Sequence, residues 1–155
     1  KGSWVYEQQQ LGFNYRISDI HAALGLSQLS KLDDFVDKRN ELRTVYDRAF
    51  SSLACTSLRT EENIINSFHL YVILIDGDFD RASIFEQLKE QGLGVNVHYI
   101  PVYKQPYYRK LGFRQDYCEG AEIFYQRSIT LPLYPCIGVD DLEEVIAAVV
   151  KTLSR

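Results

Sequence analysis

From Ser18 to Phe50 the chain carries Ile20, Ala23, Leu24, Leu29, Leu32, Val36, Leu42, Val45, Tyr46 and Ala49 at roughly helical spacing. No other feature constrains the fold as strongly, because a helix that long is unusual in a globular domain and often bridges two bodies. Ser18 reads as its N-cap, with Asp19 in the first turn complementing the helix dipole. The run is one helix over 18–50, or two with a break near Asp33-Asp34. Lys38, Arg39, Arg43 and Arg48 alternate with acids, which reads as a solvated face.

The rest of the chain is organised around that run. Residues 1–17 read as an irregular arm and 51–66 as a polar loop. "SFHLYVILID" (67–76) reads as a buried strand, ended by Gly77-Asp78. Asp80 caps a helix to about Gln91, with Ala82, Ile84, Phe85 and Leu88 on its apolar side, and Gly92 and Gly94 stop it. "VNVHYI" (95–100) reads as a second strand closed by Pro101, and "VYKQPYYRKLGF" as an aromatic loop with one helical turn. A short helix over 118–128, a strand at 128–131, and a helix to Leu153 with an Asp140/Glu143 capping box complete the pattern. Strands and helices alternate, so the expected fold is α/β, a two-layer sandwich with helices on one face of a small sheet. The expected organisation is an arm (1–17), a connecting helix (18–50) and a small domain (51–155).

Composition narrows the function classes. The net charge of −4 excludes a broad basic field, so no nucleic-acid partner is expected. No apolar run reaches membrane-spanning length, so no membrane partner is expected either. Three cysteines, Cys55, Cys118 and Cys136, form no CxxC pair and carry no functional case, which suits a reducing, cytoplasmic location. His21, His69 and His98 lie in different elements, and no metal site is expected from them. The 155 residues contain no Met and begin at Lys1, so the chain is expected to be a fragment of a longer protein, or one processed or numbered from an internal point.

Three clusters carry candidate chemistry. Asn14-Tyr15-Arg16 stands just before a helix N-terminus, where a carboxamide, a guanidinium and free N–H groups suit an anion. The structural alternative is that Asn14 holds a turn and Arg16 pairs with Asp19. "VNVHYIPVY" places His98, Tyr99, Ile100 and Pro101 at a strand end, where polar aromatic groups line clefts; the alternative is an exposed histidine beside packed tyrosines. In "SITLPLYP" (128–135), Pro132 and Pro135 read more simply as a structural turn.

Taken together, "LGFNYRISDIHAALGLSQLSKLDDFVDKRNEL", "SFHLYVILID", "IFEQLKEQGLGVNVHYIPVYKQPYYRKLGF" and "AEIFYQRSITLPLYP" resemble, in order, the C-terminal portion of the DegT/DnrJ/EryC1/StrS family of sugar aminotransferases. "WVYEQQQLGFNYR" and "VHYIPVYKQPYY" resemble most the branch that aminates UDP-4-keto-6-deoxy-N-acetyl-hexosamines on the route to pseudaminic acid. The resemblance implies a fold-type I enzyme dependent on pyridoxal 5'-phosphate (PLP). Such an enzyme moves an amino group, usually from glutamate, to a keto carbon of a nucleotide-linked deoxy sugar, at a homodimer interface. It implies that Asn14 helps hold the PLP phosphate of the partner subunit, that His98, Tyr99, Ile100 and Pro101 contact the nucleotide sugar, and that Arg16 contacts the substrate phosphates or braces the loop. The family's Schiff-base lysine motif has no match here, so no catalytic residue is expected in this chain. Alone it is expected to be inactive and not to hold PLP. The competing expectation is a non-catalytic binding or dimerisation module that keeps the family fold.

Overall fold

The computed structural model describes residues 7, 9–61 and 63–154. The chain divides into two compact units, Lys1–Asp33 and Asp34–Arg155.

In the first unit, residues 9–18 have no regular structure, and residues 1–6 of the expected arm lie outside the described residues. Helix α1 spans Asp19–Leu29 and is capped by Ser18, whose Oγ accepts from the His21 N–H while its carbonyl accepts from the Ala22 N–H at 2.9 Å. No residue of α1 is buried. A single helix over 18–50 does not form. The chain turns at Ser30-Lys31, earlier than Asp33-Asp34, and α2 runs Leu32–Ala49. The turn has a local cause: the Ser30 hydroxyl donates to the Ser27 carbonyl, and the Lys31 N–H is drawn to the Gln28 carbonyl. Serine side chains that compete for helical backbone in this way favour termini.

The second unit is a three-stranded antiparallel sheet in the order β1-β2-β3 (Cys55–Ser57, Tyr71–Ile75, Ser128–Leu131). Register pairs Cys55 with Ile75, and Tyr71 and Ile73 with Leu131 and Ile129. Alternate residues share a face, so these six side chains form one wall of the core. The opposing layer is made by α2 (Leu42, Tyr46), α3 (Arg81–Glu90; Ile84, Leu88) and α6 (Val139–Leu153; Val145, Ala148, Val149, Leu153). This is the expected α/β two-layer arrangement. Each fully buried aliphatic side chain, such as Ile73 or Val149, contributes about 1.5–3 kcal/mol. Between sheet and helices the Tyr46 ring stacks on Phe50 and tilts against Tyr71, with centroids 5.4 and 4.9 Å away.

Several local expectations are corrected. The segment 51–66 is not all loop, because Cys55–Ser57 is recruited as an edge strand by the ladder of β2. The strand expected over 67–76 begins only at Tyr71. Phe68 is left-handed (φ 41°), and Arg39 Nη1 holds the carbonyls of Phe68 and His69 at 3.1 Å each, which withdraws them from any ladder. No strand forms over 95–100. Asn96 makes an isolated antiparallel bridge to Thr130, and its carboxamide oxygen then takes the Val97 N–H at 2.8 Å. Ala82 is exposed rather than on the buried side of α3. The Asp140/Glu143 capping box is absent: α6 starts two residues earlier, with Gly138 as N-cap, and Asp140 and Asp141 occupy the first turn.

The aromatic loop folds as a 3₁₀ turn (Val102–Lys104) and a short helix, α4 (Pro106–Lys110), ahead of α5 (Glu119–Arg127). Both α3 and α4 end in a Schellman motif. Gly92 (φ 88°) and Gly112 (φ 90°) take the left-handed position, and the next N–H reaches back to Leu88 and to Tyr108 respectively. Among the described residues, no helix is long and apolar enough to cross a membrane.

Candidate functional site

In the first unit, the cluster before α1 is ordered by its own polar groups. Asn14 is left-handed (φ 51°), a conformation that asparagine tolerates better than most residues. That twist brings its Oδ1 to accept from Arg16 Nε at 3.1 Å. Arg16 is therefore engaged by Asn14, not by Asp19 as the structural alternative had it. The bond uses one acceptor of Asn14 and one donor of Arg16, leaving the carboxamide N–H₂ and the terminal guanidinium nitrogens as donors. Both residues are exposed, and Phe13 and Tyr15 beside them stack on one another with centroids 5.6 Å apart. At the helix mouth Ser18 Oγ and His21 Nδ1 lie 2.8 Å apart. The donors left on Asn14 and Arg16, four and two residues before the N-cap of α1, suit the chemistry of a phosphate, so these two residues fit that part of PLP.

In the second unit, His98, Tyr99, Ile100 and Pro101 form one continuous segment between the Asn96 bridge and the 3₁₀ turn, and the His98–Tyr99 peptide is cis. Three kinds of tie hold it. At its start, Asn96 and Thr130 exchange backbone bonds of 2.7 and 3.2 Å. In its middle, His98 Nδ1 lies 2.9 Å from Thr130 Oγ1, and the ring meets Tyr99 edge-on at 4.5 Å. Beyond its end, Tyr103 Oη donates to Glu122 Oε1 at 2.6 Å, and Lys104 Nζ forms a short ion pair with Glu122 Oε2. His98 is half-buried and Pro101 buried, while Tyr99 stays 71% exposed, so the segment presents an aromatic side chain to solvent from a fixed backbone.

The electrostatics of the third tie follow from its contacts. The Lys104 ammonium, then the Tyr103 hydroxyl, hold the Glu122 carboxyl below the usual glutamate range. Desolvation, then the bond to Glu122, push the Tyr103 hydroxyl up to about 12. At neutral pH Glu122 is thus a carboxylate and Tyr103 a neutral phenol.

The structure brings Asn14 and Arg16 together in one unit and His98 to Pro101 together in the other. Thr130 and Glu122, which bind the second segment, escaped the sequence reading. Thr130 sat in the expected strand at 128–131 with no role assigned to its hydroxyl, and Glu122 on a helix with no motif of its own. Only the antiparallel register and the α5 contact place them. Among the described residues no group of three or more His, Cys, Asp or Glu side chains is arranged to hold a metal. Cys55 is buried, and Cys118 and Cys136 are exposed.

With this geometry in hand, comparison with known proteins is informative. The model of the DegT/DnrJ/EryC1/StrS aminotransferase family matches residues 1–150. The UDP-4-amino-4,6-dideoxy-N-acetyl-beta-L-altrosamine transaminase of Campylobacter jejuni is 34% identical over 94% of this chain, which spans 39% of that protein. PseC of Helicobacter pylori, an aminotransferase involved in the biosynthesis of pseudoaminic acid, superposes with a TM-score of 0.85 at 33% identity, over 99% of this chain and 42% of its own. Spr1654 of Streptococcus pneumoniae in its PLP form superposes with a TM-score of 0.84 at 28% identity, over 99% of this chain and 41% of its own.

Proposed function

The chain belongs to the DegT/DnrJ/EryC1/StrS aminotransferase family, and from that premise we propose that it is the C-terminal portion of a PLP-dependent transaminase acting on a nucleotide-linked keto-deoxy sugar. The observation that carries this reading is that one family match runs through both Asn14-Tyr15-Arg16 and His98–Pro101. In this proposal, residues 1–17 are the tail of the large domain, the helical run over 18–50 connects, and 51–155 form the small domain. Glutamate is the amino donor, and the enzyme is a cytoplasmic homodimer.

Asn14 would donate from its carboxamide nitrogen to the PLP phosphate of the neighbouring subunit, with Arg16 bonded beside it and reaching for substrate. The left-handed backbone at Asn14 and its bond to Arg16 support this, since they fix the direction of both side chains. His98, Tyr99, Ile100 and Pro101 would line the nucleotide-sugar site from a segment held at both ends. When bound, PLP supplies the electron sink for the amino transfer. The lysine that carries it in the family would lie on chain outside these 155 residues, and this chain alone would be inactive.

Two measurements test the reading. The 155-residue chain, titrated with PLP, reduced with borohydride and weighed by mass spectrometry, is expected to show no stoichiometric adduct. A defined lysine adduct would overturn the assignment of the catalytic lysine elsewhere. In the longer protein, Asn14→Ala is expected to weaken PLP retention by about 1.5–3 kcal/mol, the worth of one hydrogen bond to a charged group. Unchanged retention removes Asn14 from the cofactor site.

A further inference from the structure

We infer that Thr130 is a positioning residue for His98: its hydroxyl donates to imidazole Nδ1 and so presents Nε2–H as the donor that meets an acceptor oxygen of the nucleotide sugar. The inference rests on the reading above that the His98 segment lines the nucleotide-sugar site, and it adds a residue and a tautomer to that reading.

Thr130 is 5% exposed and occupies the second-last position of β3. Its main chain is flanked on both sides. On one side it is in register with Val72 of β2, and on the other it exchanges two bonds with Asn96. The strand therefore holds the Thr130 Cβ in place whatever His98 does. Its side chain stands on the sheet face opposite Ile129 and Leu131, where Ser128 is its neighbour two residues away. Ser128 Oγ is buried and finds no partner, whereas Thr130 Oγ1 lies 2.9 Å from His98 Nδ1.

The direction of that bond follows from what each group needs. A buried O–H without an acceptor loses its hydration for nothing in return. Among the described residues, His98 Nδ1 is the side-chain atom bonded to this hydroxyl. If Nδ1 carried the proton, the threonine O–H would be left buried and unmatched. If Nδ1 accepts, the O–H is satisfied and the ring proton resides on Nε2. A histidine with one nitrogen tied has both its tautomer and its ring direction set by that tie. Among the described residues Nε2 has no hydrogen-bond partner, and the edge contact with Tyr99 limits ring rotation. The half-buried ring thus offers one donor from a fixed place. Sugar-nucleotide diphosphates and sugar hydroxyl or keto oxygens are acceptors of that kind.

The test joins spectroscopy to kinetics. Long-range ¹H–¹⁵N correlation of the 155-residue chain is expected to find neutral His98 as the Nε2–H tautomer. Thr130→Val keeps shape and backbone bonds but removes the hydroxyl, and should mix the tautomers; Thr130→Ser should restore the single form. In the longer protein Thr130→Val should raise KM for the nucleotide sugar about tenfold, the worth of one mispositioned hydrogen bond. Thr130→Ser should return KM towards the starting value. An Nδ1–H tautomer in the unmodified chain, or one unmoved by Thr130→Val, overturns the role of Thr130. A tautomer that responds while KM stays constant upholds the contact but overturns the presentation of His98 to substrate, and with it the placement of the segment at the sugar site.

Discussion

Tyr46→Phe isolates a single buried hydrogen bond. Tyr46 is fully buried in α2, and its hydroxyl donates to the Pro132 carbonyl at 2.9 Å, across 86 residues of sequence. Burial, reinforced by the charge of Tyr134, raises this hydroxyl above the usual tyrosine range, so it remains a neutral donor at any pH where the fold is studied. The substitution removes one oxygen and leaves the ring against Phe50 and Tyr71, so no large cavity opens. The loss is then that of a buried carbonyl stripped of its donor, about 1–3 kcal/mol. Urea unfolding followed by circular dichroism should show a lower midpoint with an unchanged slope. For a chain of this size a loss of about 2 kcal/mol corresponds to a fall of about 4–8 °C in Tm. Tyr46→Ala, which also empties the ring site, should cost more, about 3–5 kcal/mol. A Tyr46→Phe loss below about 0.5 kcal/mol would refute the reasoning, because the Pro132 carbonyl would then have another partner once the phenol is gone.

Four further outcomes follow from local geometry. Because Lys104 and Tyr103 hold Glu122 below its ordinary range, its contribution to stability is present above the unfolded glutamate value, about 4.3, and disappears as pH falls through the lower folded value. Urea midpoints measured from neutral to acid pH should therefore fall less steeply for Glu122→Gln, with a residual slope from Asp116, which Arg114 lowers in the same sense. At the alkaline end, the Tyr103 contribution is present below the unfolded tyrosine value and lost as pH rises towards about 12, so Tyr103→Phe should flatten that limb. Gly92→Ala places a Cβ in open space but at φ 88°, so its cost is that of left-handed backbone alone, about 1–2 kcal/mol. Gly94→Ala, also in open space and without positive φ, should be close to neutral by the same unfolding assay.

Much of the local architecture was legible in the residues because it depends on neighbours in sequence. Ser18 and Asp80 cap the helices they were expected to cap, since a side-chain oxygen has only to reach an N–H two or three residues away. Gly92 ends α3 because it alone supplies the left-handed turn there, and Ser128–Leu131 forms the strand its apolar character suggested. The ordered series of family-like segments likewise pointed to the family that the model match over residues 1–150 then showed. What the chain could not disclose by local pattern was decided by long-range pairing. Cys55–Ser57 became a strand because β2 offered it an edge, and 95–100 did not because Asn96 turned its own carboxamide on the next N–H. Thr130 looked like an ordinary strand residue until the tertiary fold set its hydroxyl against a ring 32 residues away. Glu122 became the clamp on Tyr103 and Lys104 only through the packing of α5. Caps and turns are written in short spans of sequence, whereas edges and the groups that hold a site depend on segments brought together only when the chain folds.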